Sequence, residues 1–254
     1  KDIGKFLIGS FDNSIDSQLK LLDNSQNIFR EEIAERNTTT FINPYKIQGN
    51  INADIKLKGT NLLDLILEAK ASGKVWTKEN KQNNNIEIKP FIATFNGPLS
   101  SGIGRFSLLN LHFSLLSLIA PIPTEINGLF GLNGKYRFVN GIPEITIDLL
   151  LDDTKIYDKT IVLDNGKVLI KDNSIKLDIA LREKSSLYPI QLIGDLPLSN
   201  SLPIDLKIES HGDGLAFLTG LTKGSLSWIS GTADLSLLIR GTPGNPIANG
   251  FLVL

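Results

Sequence analysis

Residues 145–152 read Ile145-Thr146-Ile147-Asp148-Leu149-Leu150-Leu151-Asp152, and residues 175–182 read Ile175-Lys176-Leu177-Asp178-Ile179-Ala180-Leu181-Arg182. In both stretches every second residue is a large aliphatic, and most residues between are charged or polar. That period of two belongs to a β-strand, in which successive side chains point to opposite faces. The same alternation recurs at Ile51, Ala53, Ile55 and Leu57, at Ile204, Leu206 and Ile208, and at Leu235, Leu237 and Ile239, where Leu238 is an exception.

The turns agree with strands. Asn140-Gly141 links Tyr136-Arg137-Phe138 to the Ile145 strand, and Lys171-Asp172-Asn173-Ser174 precedes Ile175. Asp164-Asn165-Gly166 lies between Ile161-Val162-Leu163 and Val168-Leu169-Ile170 and predicts a type I′ hairpin, because both central residues of that turn need positive φ. Gly128, Gly131 and Gly134 predict a glycine-rich turn, and so do Gly97, Gly102 and Gly104. Strands joined this closely pair antiparallel, so the region from about Gly134 to Ile208 reads as a β-meander. Three segments instead suggest short helices at joints: Asn61 to Gly73, Ser107 to Ala120 and Asp213 to Lys223. The first 45 residues fit strand or helix, with polar turns favouring strand, and Lys78 to Asn85 reads as a polar loop.

The expected fold class is therefore mainly β: a long antiparallel sheet, twisted or rolled, with a few short helices. The expected organisation is a single elongated β-rich fragment, 1–254, with a weak division into 1–120 and 121–254 near Pro121–Pro123. The opening Lys1 and the lack of methionine suggest a piece of a longer chain, and no apolar run spans a bilayer, so a membrane anchor is expected outside it.

Composition excludes several functions. A net charge of −1 gives no basic field for nucleic acid. The absence of cysteine removes disulfides and thiolate chemistry. The two histidines, His112 and His211, have no metal-ligand spacing, and no glycine-flanked serine accompanies His211 and Asp213 as a triad would require. No residue pattern places a catalytic site or a cofactor, and the chain reads as a non-enzyme.

What remains is the apolar face. Four buried aliphatics contribute about 6–12 kcal/mol to a strand, while ordering some eight residues costs about 12 kcal/mol. Such a strand stands only if its apolar face is covered. A second sheet would do this in a β-sandwich, but aromatics are only 7% of the chain and the inward positions are mostly Ile and Leu. An aliphatic trough also suits acyl chains. The candidate lining is Ile51, Ile55, Leu57, Ile145, Ile147, Leu149, Leu151, Ile175, Leu177, Ile179, Leu181, Ile204, Leu206, Ile208, Leu235, Leu237 and Ile239.

The stretch from Gly231-Thr232-Ala233-Asp234 through Ile239-Arg240-Gly241-Thr242-Pro243-Gly244-Asn245 to Phe251-Leu252-Val253-Leu254 resembles the strand, Gly-Thr, Pro, Gly, strand joint of the TamB family (translocation and assembly module) and its chloroplast inner-envelope counterpart. Gly212-Asp213-Gly214-Leu215 resembles the short helix before such a strand pair, and Ile51 to Thr60 followed by Leu62-Leu63-Asp64-Leu65 resembles the same joint in another order. The match covers roughly the last forty residues and is general elsewhere. The resemblance implies that the long antiparallel sheet is rolled into a taco-like trough for lipid transfer, anchored at the inner membrane and crossing the periplasm, or its plastid equivalent. It implies phospholipid as the transported ligand and an outer-membrane barrel protein of the BamA/TamA type as partner, with a role in phospholipid transport or in assembly of outer-membrane proteins. It carries over no catalytic residue. The alternatives are a β-sandwich or β-solenoid surface module, an outer-membrane β-barrel and, as an enzyme, a hydrolase.

Overall fold

The computed structural model describes residues 47–61, 64–77, 89–116, 126–200, 202–217 and 228–254. All of them lie in one compact unit, Ile42–Leu254. The reading of residues 1–45 and of the 78–85 loop falls outside the described residues.

Twelve strands run in sequence order through one antiparallel sheet: β1 (Ile47–Lys58), β2 (Ile66–Thr77), β3 (Phe91–Pro98), β4 (Ile103–His112), β5 (Ile126–Val139), β6 (Ile142–Ile156), β7 (Lys159–Lys171), β8 (Ser174–Glu183), β9 (Ile190–Pro197), β10 (Ile204–Ser210), β11 (Asp234–Thr242) and β12 (Asn245–Val253). Each pairs with its neighbours in the chain, and β1 does not pair with β12. The fold is thus mainly β, and the sheet is open rather than closed into a barrel. One four-residue helix, α1 (Phe113–Leu116), follows β4. The strands β4 and β5, on either side of Pro121–Pro123, pair directly, so the sheet is continuous across that point.

Because the order is a simple meander, connections alternate between two ends of the sheet. One end carries the turns at 99–102, 140–141, 172–173 and 243–244. The other carries 157–158, 184–189 and the described residues 211–217 that follow β10. The two-residue turns follow their sequences. Asn140 and Gly141 have φ of 53° and 79°, and Asp172 and Asn173 have 52° and 60°, as a type I′ hairpin requires.

Several expectations need correction. Asn61 to Gly73 is not a helix, since β2 begins at Ile66 and pairs with β1 throughout. Its inward positions are Leu67, Ala69, Ala71 and Gly73, too small for the alternation to stand out. Ser107 to Ala120 is strand as far as His112. There the consecutive Leu108 and Leu109 come from a bulge, marked by Asn110 at φ 59°, that puts one extra residue into β4. Of the Asp213 to Lys223 helix, residues 213–217 are described, as turns with helical geometry only at Ala216 and Phe217.

Asp164-Asn165-Gly166 makes no hairpin, because β7 runs straight through it with a bulge between Leu163 and Asn165. Gly166 then sits directly beneath the Leu163 side chain. Gly128, Gly131 and Gly134 lie inside β5 rather than in a turn. Gly134 lies under the Phe106 ring on the neighbouring strand.

Few hydrophobic side chains are fully buried. Ile156, Ile161 and Phe217 form one cluster, with Ile126, Leu151, Leu181 and Ile190 packed against it. Elsewhere large aliphatics remain open to water, as with Ile55 at 70% exposure and Leu57 at 57%.

Candidate functional site

Residues directly opposite one another on paired strands share a face, so the register decides where each side chain goes. Starting at Ile55 and stepping across the sheet, the partners are Ala69, Phe95, Phe106, Gly134, Ile147, Val168, Leu177, Gly194, Leu206, Ile239 and Ala248. Twelve strands contribute twelve apolar residues or glycines. A second row runs Ala53, Ala71, Ala93, Leu108, Leu132 and Leu149. It resumes at Gly166 and continues through Ile179, Leu192, Ile208, Leu237 and Gly250.

One residue along, the opposite face reads Asp54, Lys70, Thr94, Ser107, Asn133, Asp148, Lys167, Asp178, Ile193, Lys207, Leu238 and Asn249. That row is polar except at Ile193 and Leu238, and the rows beside it also carry Leu150, Leu169 and Ile247. Ion pairs join neighbouring strands on this face: Lys176–Asp195 at 3.4 Å, Arg240–Asp205 at 3.3 Å and Arg182–Asp164 at 2.9 Å. Glu144 takes both Lys171 at 3.0 Å and Arg137 at 2.6 Å. Hydrogen bonds from Lys171 and then Arg137 hold its carboxyl below the usual carboxylate range. Exposed pairs of this kind contribute little to stability. Their effect is to keep that face in water.

Every one of the seventeen residues expected to line a trough belongs to the apolar face. The three bulges, in β4, β6 and β7, do not break it. Each inserts one residue, so that the apolar set returns to the same side: Thr154 and Ile156 after Leu151, Leu111 after Leu108, and Gly166 after Leu163. Ile204 and Leu206 are buried; Ile51, Ile55 and Leu57 are exposed at the β1 edge; the others are half-buried.

The lining is less uniform than the sequence suggests. From β3 to β5 it is aromatic. Phe95 stacks on Tyr136 at 5.5 Å, and Phe138 meets the Tyr136 ring edge-on at 5.8 Å. The Tyr136 hydroxyl donates to the Pro98 carbonyl at 2.7 Å, and burial pushes its pKa up. These rings escaped notice because glycines and alanines at the facing positions dilute the alternation.

Comparisons of the chain with protein-family models, with curated proteins and with solved structures returned no match.

Polar groups appear on the apolar face only near one rim. Lys159 and Glu183 pair there at 3.3 Å, and Thr154 and Ser210 are buried. The histidines lie apart. His112 ends β4 on the polar face opposite Leu129, and burial lowers its pKa. His211 is exposed, with Nδ1 2.8 Å from Asp234 Oδ1. Asp213 is occupied elsewhere: its carboxylate accepts the backbone N–H groups of Leu187 at 2.9 Å and Tyr188 at 3.0 Å. Among the described residues no three His, Asp or Glu side chains gather as a metal site, and no helix is long and apolar enough to cross a membrane.

Proposed function

We propose that this chain forms a segment of an open hydrophobic groove that holds the acyl chains of phospholipids, of the kind found in the TamB family. The observation that carries the reading is the row of apolar residues running from β1 to β12 without a polar interruption, on a sheet whose described strands all lie in one layer. A soluble sheet of this size ordinarily hides such a face beneath helices or a second sheet. Exposed apolar area of this extent marks a binding surface.

The dimensions fit. Twelve strands about 4.8 Å apart span roughly 53 Å across the hydrogen-bonding direction. One acyl chain occupies half of a hydrocarbon core about 30 Å thick, so several chains fit along the row. The polar outer face, with its cross-strand ion pairs, suits an aqueous compartment such as the periplasm or a plastid envelope. The functional role is passage of phospholipid between inner and outer membranes, in support of outer-membrane assembly with a barrel protein of the BamA/TamA type as partner. No chemical step is needed: the lining exchanges one apolar environment for another.

Native mass spectrometry of the purified chain tests this. The expected spectrum contains phospholipid adducts, more than one per chain, that detergent exchange removes. A spectrum of bare protein alone, from material extracted without detergent, contradicts the reading.

A further inference from the structure

Among the described residues, the buried cluster of Ile156, Ile161 and Phe217 joins two strands to a connection. It is made where the connection after β10 folds back over the apolar face. Hydrogen bonds from Gly214 N to His211 O, Ala216 N to Asp213 O and Phe217 N to Gly214 O wind residues 211–217 into tight turns. Those turns deliver Phe217, 7% exposed, onto Ile156 and Ile161, with Leu151, Leu181 and Ile190 around it. The connection leaves from β10, yet its ring lies on residues of β6 to β9. Phe217 thus fills an apolar seat on the same face that is elsewhere open, and Leu215 and Ala216 before it are buried too.

We propose that this seat is an acyl-chain site occupied by the protein's own Phe217, and that residues 212–217 are a displaceable stopper over it. The proposal rests on the acyl-binding reading above and adds a regulated position to it. Two features support displacement. The stopper is tied to the rim at its base by Asp213, whose carboxylate holds the Leu187 and Tyr188 amides, while Leu215, Ala216 and Phe217 are held by apolar burial that an acyl chain can replace. Gly212, at φ 57°, gives the segment a pivot at its base, where its carbonyl also accepts Ala233 N–H at 2.8 Å. An apolar ligand that binds only the open state must compete with Phe217, and its apparent affinity falls by the fraction of molecules in which the seat is vacant.

The test uses the whole chain with cis-parinaric acid as a fluorescent acyl probe and oleate as the ligand for hydrogen exchange. Phe217→Ala, checked for an unchanged far-UV spectrum, is expected to bind the probe about tenfold more tightly, since removing a buried aromatic abolishes the competition. Asp213→Ala keeps the ring but loosens the tie, and is expected to shift affinity in the same direction. In the wild type, saturating oleate should speed exchange in the peptide containing residues 211–217 while strands β6 to β9 become more protected. Equal probe affinity in all three proteins, with unchanged exchange at 211–217 and added protection in the strands, would overturn the stopper and leave the groove standing. No binding by wild type or either variant would overturn both.

Discussion

Replacing Leu177 with aspartate is expected to weaken binding of an acyl probe by at least about tenfold while the sheet stays folded. Leu177 lies mid-strand on the apolar face, between Val168 of β7 and Gly194 of β9, and is half-buried. In the empty groove a carboxylate there keeps water on its open side, so the cost to folding is moderate. Once an acyl chain lies on it that water is lost, and an unpaired charge in apolar surroundings costs several kcal/mol, more than a tenfold change in affinity requires. The neighbouring Asp178→Asn lies on the opposite face and should leave binding unchanged. Titration of both variants with cis-parinaric acid, alongside circular dichroism, checks the pair. Equal binding by Leu177→Asp and wild type would mean that acyl chains do not lie along β8.

Gly194→Ala is expected to break the sheet between β9 and β10. A Cβ built on Gly194 overlaps the carbonyl oxygen of Asp205 on β10, and the residue sits at φ 140°, where an L side chain is strained. Overpacking and backbone strain together cost about 3 kcal/mol. For a unit of this size that lowers the thermal midpoint by roughly 6–12 °C. The defect propagates along one line only. Strands here hold to their chain neighbours, much as units of a solenoid do, so β10 to β12 should lose amide protection while β2 to β5 keep theirs. Gly244→Ala, where the added methyl group meets nothing within 4 Å, is the control. Calorimetry and hydrogen exchange read both. An unaltered midpoint and protection pattern in Gly194→Ala would contradict the close approach of β9 and β10.

The sequence made the sheet legible wherever large aliphatics alternated with charges. In β6, β8, β10 and β11, Ile and Leu alternate with Asp, Lys, Ser and Arg, and register carries every residue read there to one face. It failed where small residues took the inward places. Ala69, Ala71 and Gly73 of β2 carry no periodic signal, and the nearby Leu and Ile residues imitate a helical turn over a short window. It failed again at bulges, where two apolar residues in succession, or an Asn-Gly pair, look like a helix or a hairpin. A bulge is set by the register of the neighbouring strand, which no local window contains. The stopper was hidden for the same reason. Phe217 is a single aromatic in a glycine-containing loop, and its partners Ile156 and Ile161 lie more than fifty residues earlier. Only the fold-back of the connection joins them.

Acyl chains should lie on one face of this sheet and not on the other. The native chain has no cysteine, so single cysteines can carry a fluorophore at adjacent positions: L149C, L177C and L237C on the apolar face, and D148C, D178C and S236C on the polar face. Phosphatidylcholine with brominated acyl chains quenches a fluorophore only at close range. The account predicts strong quenching at the first three sites and almost none at the second three, a period of two in lipid contact that matches the period of two in the sequence. Equal quenching on both faces, or none on either, would contradict it.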